Sequence, residues 1–185
     1  ILLPPRDVAA SMGTPSMEIA NQSQQLRAPT GNLSNPDCLG AFEPIGESTY
    51  AGSGTKAVRG QQLHTPDNNL RVDEAVVGFP NAQRATAFVA AQAEQWKACA
   101  GQAVTLTTEH GREFHWTFGE LTGTSPAITQ VRMPRDPRRA SCQRVLSAVS
   151  DVVFDVEACA ANVADQGSQI ADQMAAKVTP LARPG

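Results

Sequence analysis

Cys142-Gln143-Arg144-Val145-Leu146-Ser147-Ala148-Val149-Ser150-Asp151-Val152-Val153-Phe154-Asp155-Val156-Glu157-Ala158-Cys159 holds two β-rich runs around a two-residue turn. β-Branched residues favour strands, so Ser150-Asp151 predicts a hairpin, although Ser-Asp is not the strongest turn dipeptide. The pair Val149/Val152 flanks the turn and exchanges hydrogen bonds. Counted outward from it, Cys142 and Cys159 face each other seven positions on. Every second pair is non-hydrogen-bonded, and Cys142/Cys159 falls on that set, where Cα atoms approach to roughly 4.5 Å. A disulfide can bridge that span. Three pairings of the four cysteines are open in principle; the register favours this one and leaves Cys38 to Cys99 by elimination.

Four cysteines without a CxxC pair read as two disulfides and as an oxidising compartment outside the cytosol. The competing reading is four buried thiols in a cytosolic protein. At 185 residues the chain is one domain, residues 1–185, with a core at about 7–178, large enough to fold without staples. The bridges add stability instead, about 3 kcal/mol for the short loop and about 4 kcal/mol for the long one in the chain-entropy model. A formal charge of −3 is too small to imply a protein built as a whole to bind polyanions, and no nucleic-acid partner is expected. No run approaches the roughly 20 apolar residues of a membrane span. Ile1-Leu2-Leu3 meets Pro4-Pro5 at once, which is no signal peptide. The expectation is a mature or trimmed chain whose export signal or membrane anchor lay upstream. The sequons Asn21-Gln22-Ser23 and Asn32-Leu33-Ser34 are weak evidence of a eukaryotic secretory origin.

Along the chain, Asp7 is expected to cap a short helix through Val8 and Met12 that stops at Gly13. A strand at Met17–Ala20 and a long polar loop follow. Asn35-Pro36-Asp37-Cys38-Leu39 starts a helix, and Gly52-Ser53-Gly54 breaks the chain after Tyr50. Lys56–Leu63 and Arg71–Phe79 read as strands. Asn81 caps the clearest helix, whose Ala85, Phe88, Val89, Gln92, Trp96 and Cys99 form one stripe; Gly101 ends it. Val104–Thr108 and Arg112–Leu121 form a hairpin about His110-Gly111, and Ala127–Met133 is a further strand. A last helix from about Ala164 to Val178 carries Ile170, Met174 and Val178 on one face, with Pro180 and Pro184 beyond it. This order predicts an α+β domain, mainly an antiparallel sheet with helices packed on one of its faces.

The chain is poor in catalytic signals. His64, His110 and His115 fit no zinc pattern, and the histidines around Gly111 read as a turn residue and a strand residue. No metal or cofactor is expected. Tyr50-Ala51-Gly52-Ser53-Gly54 is not a nucleophile elbow, and Gly52-Ser53-Gly54-Thr55-Lys56 lacks the spacer of a phosphate loop. Asp73-Glu74 and Asp151/Asp155 read as solvated carboxylates. Phe114, Trp116 and Phe118 share a strand face and read as core under a helix rather than a ligand groove. The arginine cluster Arg132, Arg135, Arg138, Arg139 and Arg144 has more content. Guanidinium forks suit carboxylates, phosphates and sulfates, and Arg132 and Arg144 flank the loop on strands that could point into a common cleft. The alternative is a solvated loop that keeps a sheet edge soluble.

These pieces occur together in one order: a helix ending Met12-Gly13, then Asn35-Pro36-Asp37-Cys38, then Tyr50-Ala51-Gly52-Ser53-Gly54. Next come Gln95-Trp96-Lys97-Ala98-Cys99, Cys142-Gln143-Arg144 and Asp155-Val156-Glu157-Ala158-Cys159. From about Asp7 to Val178 the chain resembles the PknH-like extracellular domain family. That family comprises sensor domains of mycobacterial receptor kinases and similar domains of envelope lipoproteins such as LppH. The resemblance implies one α+β domain with a large cleft for an unidentified signal molecule. It also implies pairing of Cys38 with Cys99 and of Cys142 with Cys159, and no phosphotransfer in this segment.

The reading is a non-enzymatic extracytoplasmic sensor that binds a small molecule, glycan or lipid, anchored to the membrane outside this segment. Candidate ligand contacts are Arg132, Arg144, Tyr50, Ser53 and Gln143. The alternative is an interaction module for a partner peptide or a homodimer. An envelope hydrolase is disfavoured by the lack of a nucleophile-and-base pair.

Overall fold

The computed structural model of the chain describes residues 1–178. Nine strands form one antiparallel sheet. They are β1 (Glu18–Ser23), β2 (Asn32–Leu33), β3 (Ala57–His64), β4 (Arg71–Gly78), β5 (Ala103–Thr107), β6 (Glu113–Thr124), β7 (Ala127–Pro134), β8 (Ser141–Val149) and β9 (Val152–Ala160). Their order across the sheet is β1-β3-β4-β9-β8-β7-β6-β5-β2. The helices are α1 (Pro5–Met12), α2 (Leu39–Phe42), α3 (Glu47–Tyr50), α4 (Ala82–Cys99) and α5 (Gln166–Ala175).

The hairpin of β8 and β9 has the expected register, with Cys142 opposite Cys159 and Val149 opposite Val152. Ser150 takes the left-handed conformation that the tight turn demands, with φ 55°. The disulfides are Cys142–Cys159, with Cα atoms 4.1 Å apart, and Cys38–Cys99, with Cα atoms 5.8 Å apart. Asn81 caps α4 by accepting the Arg84 amide, and the stripe from Ala85 to Cys99 is the buried face.

Helices cover both faces of the sheet, not one. α4 lies on one face. Beside it lies a covering segment, residues 35–50, made of a 3-10 turn at Pro36–Cys38, α2 and α3. α1 and α5 lie on the other face, over Val72, Val145, Phe154, Val156 and Ala158. The reason is in β9, which is buried on both sides from Val153 onward: Phe154, Val156 and Ala158 give the second face an apolar row, while Asp155 and Glu157 are buried on the α4 face beside their arginine partners. Gly40 sets how closely the covering segment approaches α4, because a Cβ there would collide with Gln92.

Other departures are local. Pro4, not Asp7, occupies the cap of α1, while Asp7 sits in the first turn; Gly13 closes the helix at φ 67°. β1 starts one residue later than expected and runs to Ser23. The two-residue β2 and the turn of α3 carry no periodic signal. α5 ends at Ala175; Pro180 and Pro184 lie outside the described residues.

Candidate functional site

Strand register lines up two rows of side chains on the α4 face. One row runs His64, Arg71, Cys159, Cys142, Arg132 across β3, β4, β9, β8 and β7. The next runs Gln62, Asp73, Glu157, Arg144, Gln130. Charges in such a place must find partners or they cost several kcal/mol. Here they do. Arg144, 1% exposed, pairs with Asp155 and donates to the carbonyls of Val156, Gly40 and Glu43. Arg132 pairs with Glu157, donates to the Phe42 carbonyl and stacks 4.3 Å from the Phe42 ring centroid. Arg71 reaches Glu157 at 3.0 Å, and Arg27 reaches Asp73 at 3.0 Å. Burial pushes the Glu157 carboxyl up, but Arg132 and Arg71 outweigh it and hold the pKa at about 2. Burial, with Asp155 beside it, pushes the Tyr50 phenol well up, so it stays a neutral donor.

Two cavities border these rows. One, about 530 Å³, has the Cys142–Cys159 disulfide, Arg71, Arg138, Arg139, Trp116 and His64 among its walls, and no carboxylate. The other, about 280 Å³, shares Arg71, Trp116 and Arg139 and adds Arg132, Glu43, Asp73 and Glu157. Arg138 is held by a two-bonded fork to Asp136, each bond 3.0 Å. Arg139 has no carboxylate within ion-pair distance among the described residues. It is steadied instead by the Phe114 ring, 4.2 Å from its guanidinium carbon. His64 donates through Nδ1 to the Thr65 carbonyl at 2.8 Å, which leaves Nε2 free. Three buried polar atoms on these walls lack partners: Trp116 Nε1, Arg132 Nε and Glu43 Oε1. Burial raises the pKa of Glu43.

The five ligand candidates do not converge. Arg132 lines the smaller cavity. Arg144 and Tyr50 meet instead at Asp155, which accepts the Tyr50 hydroxyl at 2.9 Å. Ser53 donates to the Tyr50 carbonyl at 2.7 Å. Gln143 is on the opposite face, where its Oε1 accepts the amides of Gly167 and Ser168 and caps the start of α5. Arg144 therefore has both terminal nitrogens committed to the protein, with only its buried Nε unpartnered, and Gln143 points away from Arg144 because neighbouring strand residues alternate. Asp73 and Glu74 are buried rather than solvated. Trp116 and Phe118 are core against Phe42, as expected, while Phe114 also faces the smaller cavity and Trp116 faces both. Sequence reasoning missed Arg71 as a cavity wall. Its neighbour Cys159 is brought to it only by the pairing of β4 with β9.

The sequence model of the PknH-like extracellular domain family matches residues 1–177. The serine/threonine-protein kinase PknH of Mycobacterium tuberculosis is 36% identical over 180 residues, 96% of this chain and 29% of that protein. PknH of Mycobacterium bovis is likewise 36% identical over 180 residues, covering 30% of its length. The chain thus spans less than a third of these curated relatives. The crystal structure of the extracellular domain of PknH from Mycobacterium tuberculosis superposes with a TM-score of 0.92, covering 96% of this chain and 92% of that one.

Proposed function

This chain belongs to the PknH-like extracellular domain family, and on that footing we propose that it is a non-catalytic sensor module that captures a small anionic ligand outside the cytoplasm. One observation carries the reading. In a chain of net charge −3, a cavity of about 530 Å³ gathers three arginines and no carboxylate. The volume is within the range of about 300–1,000 Å³ usual for ligand sites. Arg139 supplies a guanidinium with no direct ion pair among the described residues, and Arg71 and Arg138 supply forks held in place by their own carboxylates.

Arg71 also gives occupancy a route inward. It pairs with Glu157 and lies 3.6 Å from Asp73, which binds Arg27. The Arg27 backbone pairs with Ile45 and Glu47 of the covering segment. A ligand that draws Arg71 outward would loosen this chain of contacts. In a receptor kinase the consequence would be altered pairing of anchored copies. In an envelope lipoprotein, it would be retention of an envelope component. Residues upstream of Ile1 distinguish the two.

The test is a thermal-shift screen of the oxidised domain with phosphate, sulfate and small carboxylates, with Arg139→Ala alongside. A ligand at 100 times its Kd adds about 2.7 kcal/mol, or about 5–10 °C for a domain of this size. A shift of that order, lost in Arg139→Ala, supports the reading. A flat screen refutes small-anion capture and favours a module that docks a protein partner.

A further inference from the structure

The two cavities differ in chemistry, and the difference reads as one ligand with two ends. The larger cavity offers arginine donors, the Asn68 and Asn69 amides and no acid. The smaller one presents acceptors, Glu43, Asp73 and Glu157, beside its arginines. Asp73 and Glu157 have cationic partners. Glu43 Oε1 does not, and it is a buried acceptor left without a donor. Trp116, a wall of both cavities, carries the converse defect, a buried indole N–H without an acceptor. Buried polar groups are nearly always paired. Two orphan donors, Trp116 Nε1 and Arg132 Nε, and one orphan acceptor, Glu43 Oε1, flank the same space and call for a group that can do both. A hydroxyl donates once and accepts twice. The indole and the Phe114 ring add an apolar wall of the kind that packs against the C–H face of a pyranose.

We propose that the ligand is an anionic sugar, with its phosphate or carboxylate among Arg71, Arg138 and Arg139 and its hydroxyls on Glu43 and Trp116. This rests on the ligand-capture reading above and deepens it. Simple anions satisfy only the larger cavity, and neutral sugars only the smaller.

Calorimetric titration of the oxidised domain tests it with glucose 6-phosphate, glucuronate, glucose and inorganic phosphate. The expected result is at least 10-fold tighter binding of an anionic sugar than of phosphate or glucose. Trp116→Phe keeps the ring and removes the N–H, and Glu43→Gln removes the charge. Each should lower the ratio of anionic-sugar to phosphate affinity at least 5-fold, and an unchanged ratio counts against the inference; near-ultraviolet circular dichroism checks that both variants are folded. Arg139→Ala should weaken every anion at least 10-fold. Vesicles containing phosphatidylinositol, compared with phosphatidylglycerol vesicles, tell a lipid headgroup from a soluble sugar as the source. Phosphate binding as tightly as the sugar acids overturns this inference and leaves the sensor reading standing. No binding by any probe overturns both.

Discussion

Glu74 makes stability depend on pH in a direction opposite to most carboxylates. It is 1% exposed on β4, and its Oε1 accepts the Leu3 amide at 2.6 Å and the Gln61 amide at 2.8 Å. Gln61 also donates to the Leu3 carbonyl at 2.7 Å, so the pair clamps the N-terminal strap against the sheet. Glu74 Oε2 is buried without a partner. Desolvation raises the pKa from 4.5 to about 7, against the pull of the Leu3 and Gln61 hydrogen bonds, Lys177 and the terminal ammonium. The native state therefore binds this proton more tightly than the unfolded chain. The stability tied to it is fully present below pH 4.5 and is lost as pH rises through about 7. Each tenfold change in proton affinity is worth about 1.4 kcal/mol, so the loss is about 3 kcal/mol.

Glu74→Gln removes the titration and keeps the shape. Its amide leaves a buried donor unpaired, a roughly constant cost of about 1–3 kcal/mol. The difference between wild type and variant should therefore change by about 3 kcal/mol between pH 4.5 and 8, with the variant gaining as pH rises. Urea unfolding followed by tryptophan fluorescence at each pH gives that difference. All other titrating groups are common to both proteins and cancel in the difference. A difference that stays flat from pH 4.5 to 8 would refute a buried, titrating Glu74.

Arg144→Met should destabilise by about 3–5 kcal/mol in urea unfolding, because Asp155 keeps a buried charge without its partner. Replacing both at once, Arg144→Met with Asp155→Leu, should recover part of that loss. Gln143→Ala should cost about 1 kcal/mol through the lost cap on α5 and leave anion binding unchanged in the thermal-shift screen. The variant Cys38→Ser/Cys99→Ser should lose about 4 kcal/mol and free the covering segment, read as faster hydrogen exchange at residues 39–50. Removal of Cys142 and Cys159 should cost about 3 kcal/mol and slacken the wall of the larger cavity instead.

Local signals were legible wherever the physics is local. The stripe from Ala85 to Cys99 needs only the helical period, and all six residues are on the buried face of α4. The β8–β9 register needs only a two-residue turn and alternation. Neither informs about contacts between distant segments. Arg71 meets Glu157 across 86 residues, and nothing in either local stretch marks the pairing of β4 with β9. The covering segment is equally silent. Its turns are short, and they are held by Arg144 and Asp155 from the sheet rather than by helical periodicity. Helices on the second face were not legible, because Phe154-Asp155-Val156-Glu157-Ala158 alternates apolar with acidic as a half-solvated strand does, and Asp155 and Glu157 are buried only through Arg144 and Arg132.

The fate of the arginine cluster follows from parity. Two residues inward from the disulfide, Arg144 stands opposite Glu157, on the same face as Cys142 and Cys159. Asp155 follows Glu157 by one more step of two. A buried disulfide thus commits Arg144 to a buried, carboxylate-paired role from the hairpin register alone. Arg132 is carried inward by the same alternation on β7, after Ile128 and Gln130. Residues 135–140 leave the sheet, so alternation no longer dictates where their side chains go. Arg138 folds back on Asp136, and Arg139 is exposed against Phe114 with no ion pair among the described residues. A guanidinium free to take an external anion therefore belongs on the loop, beside the strand arginines that build its walls.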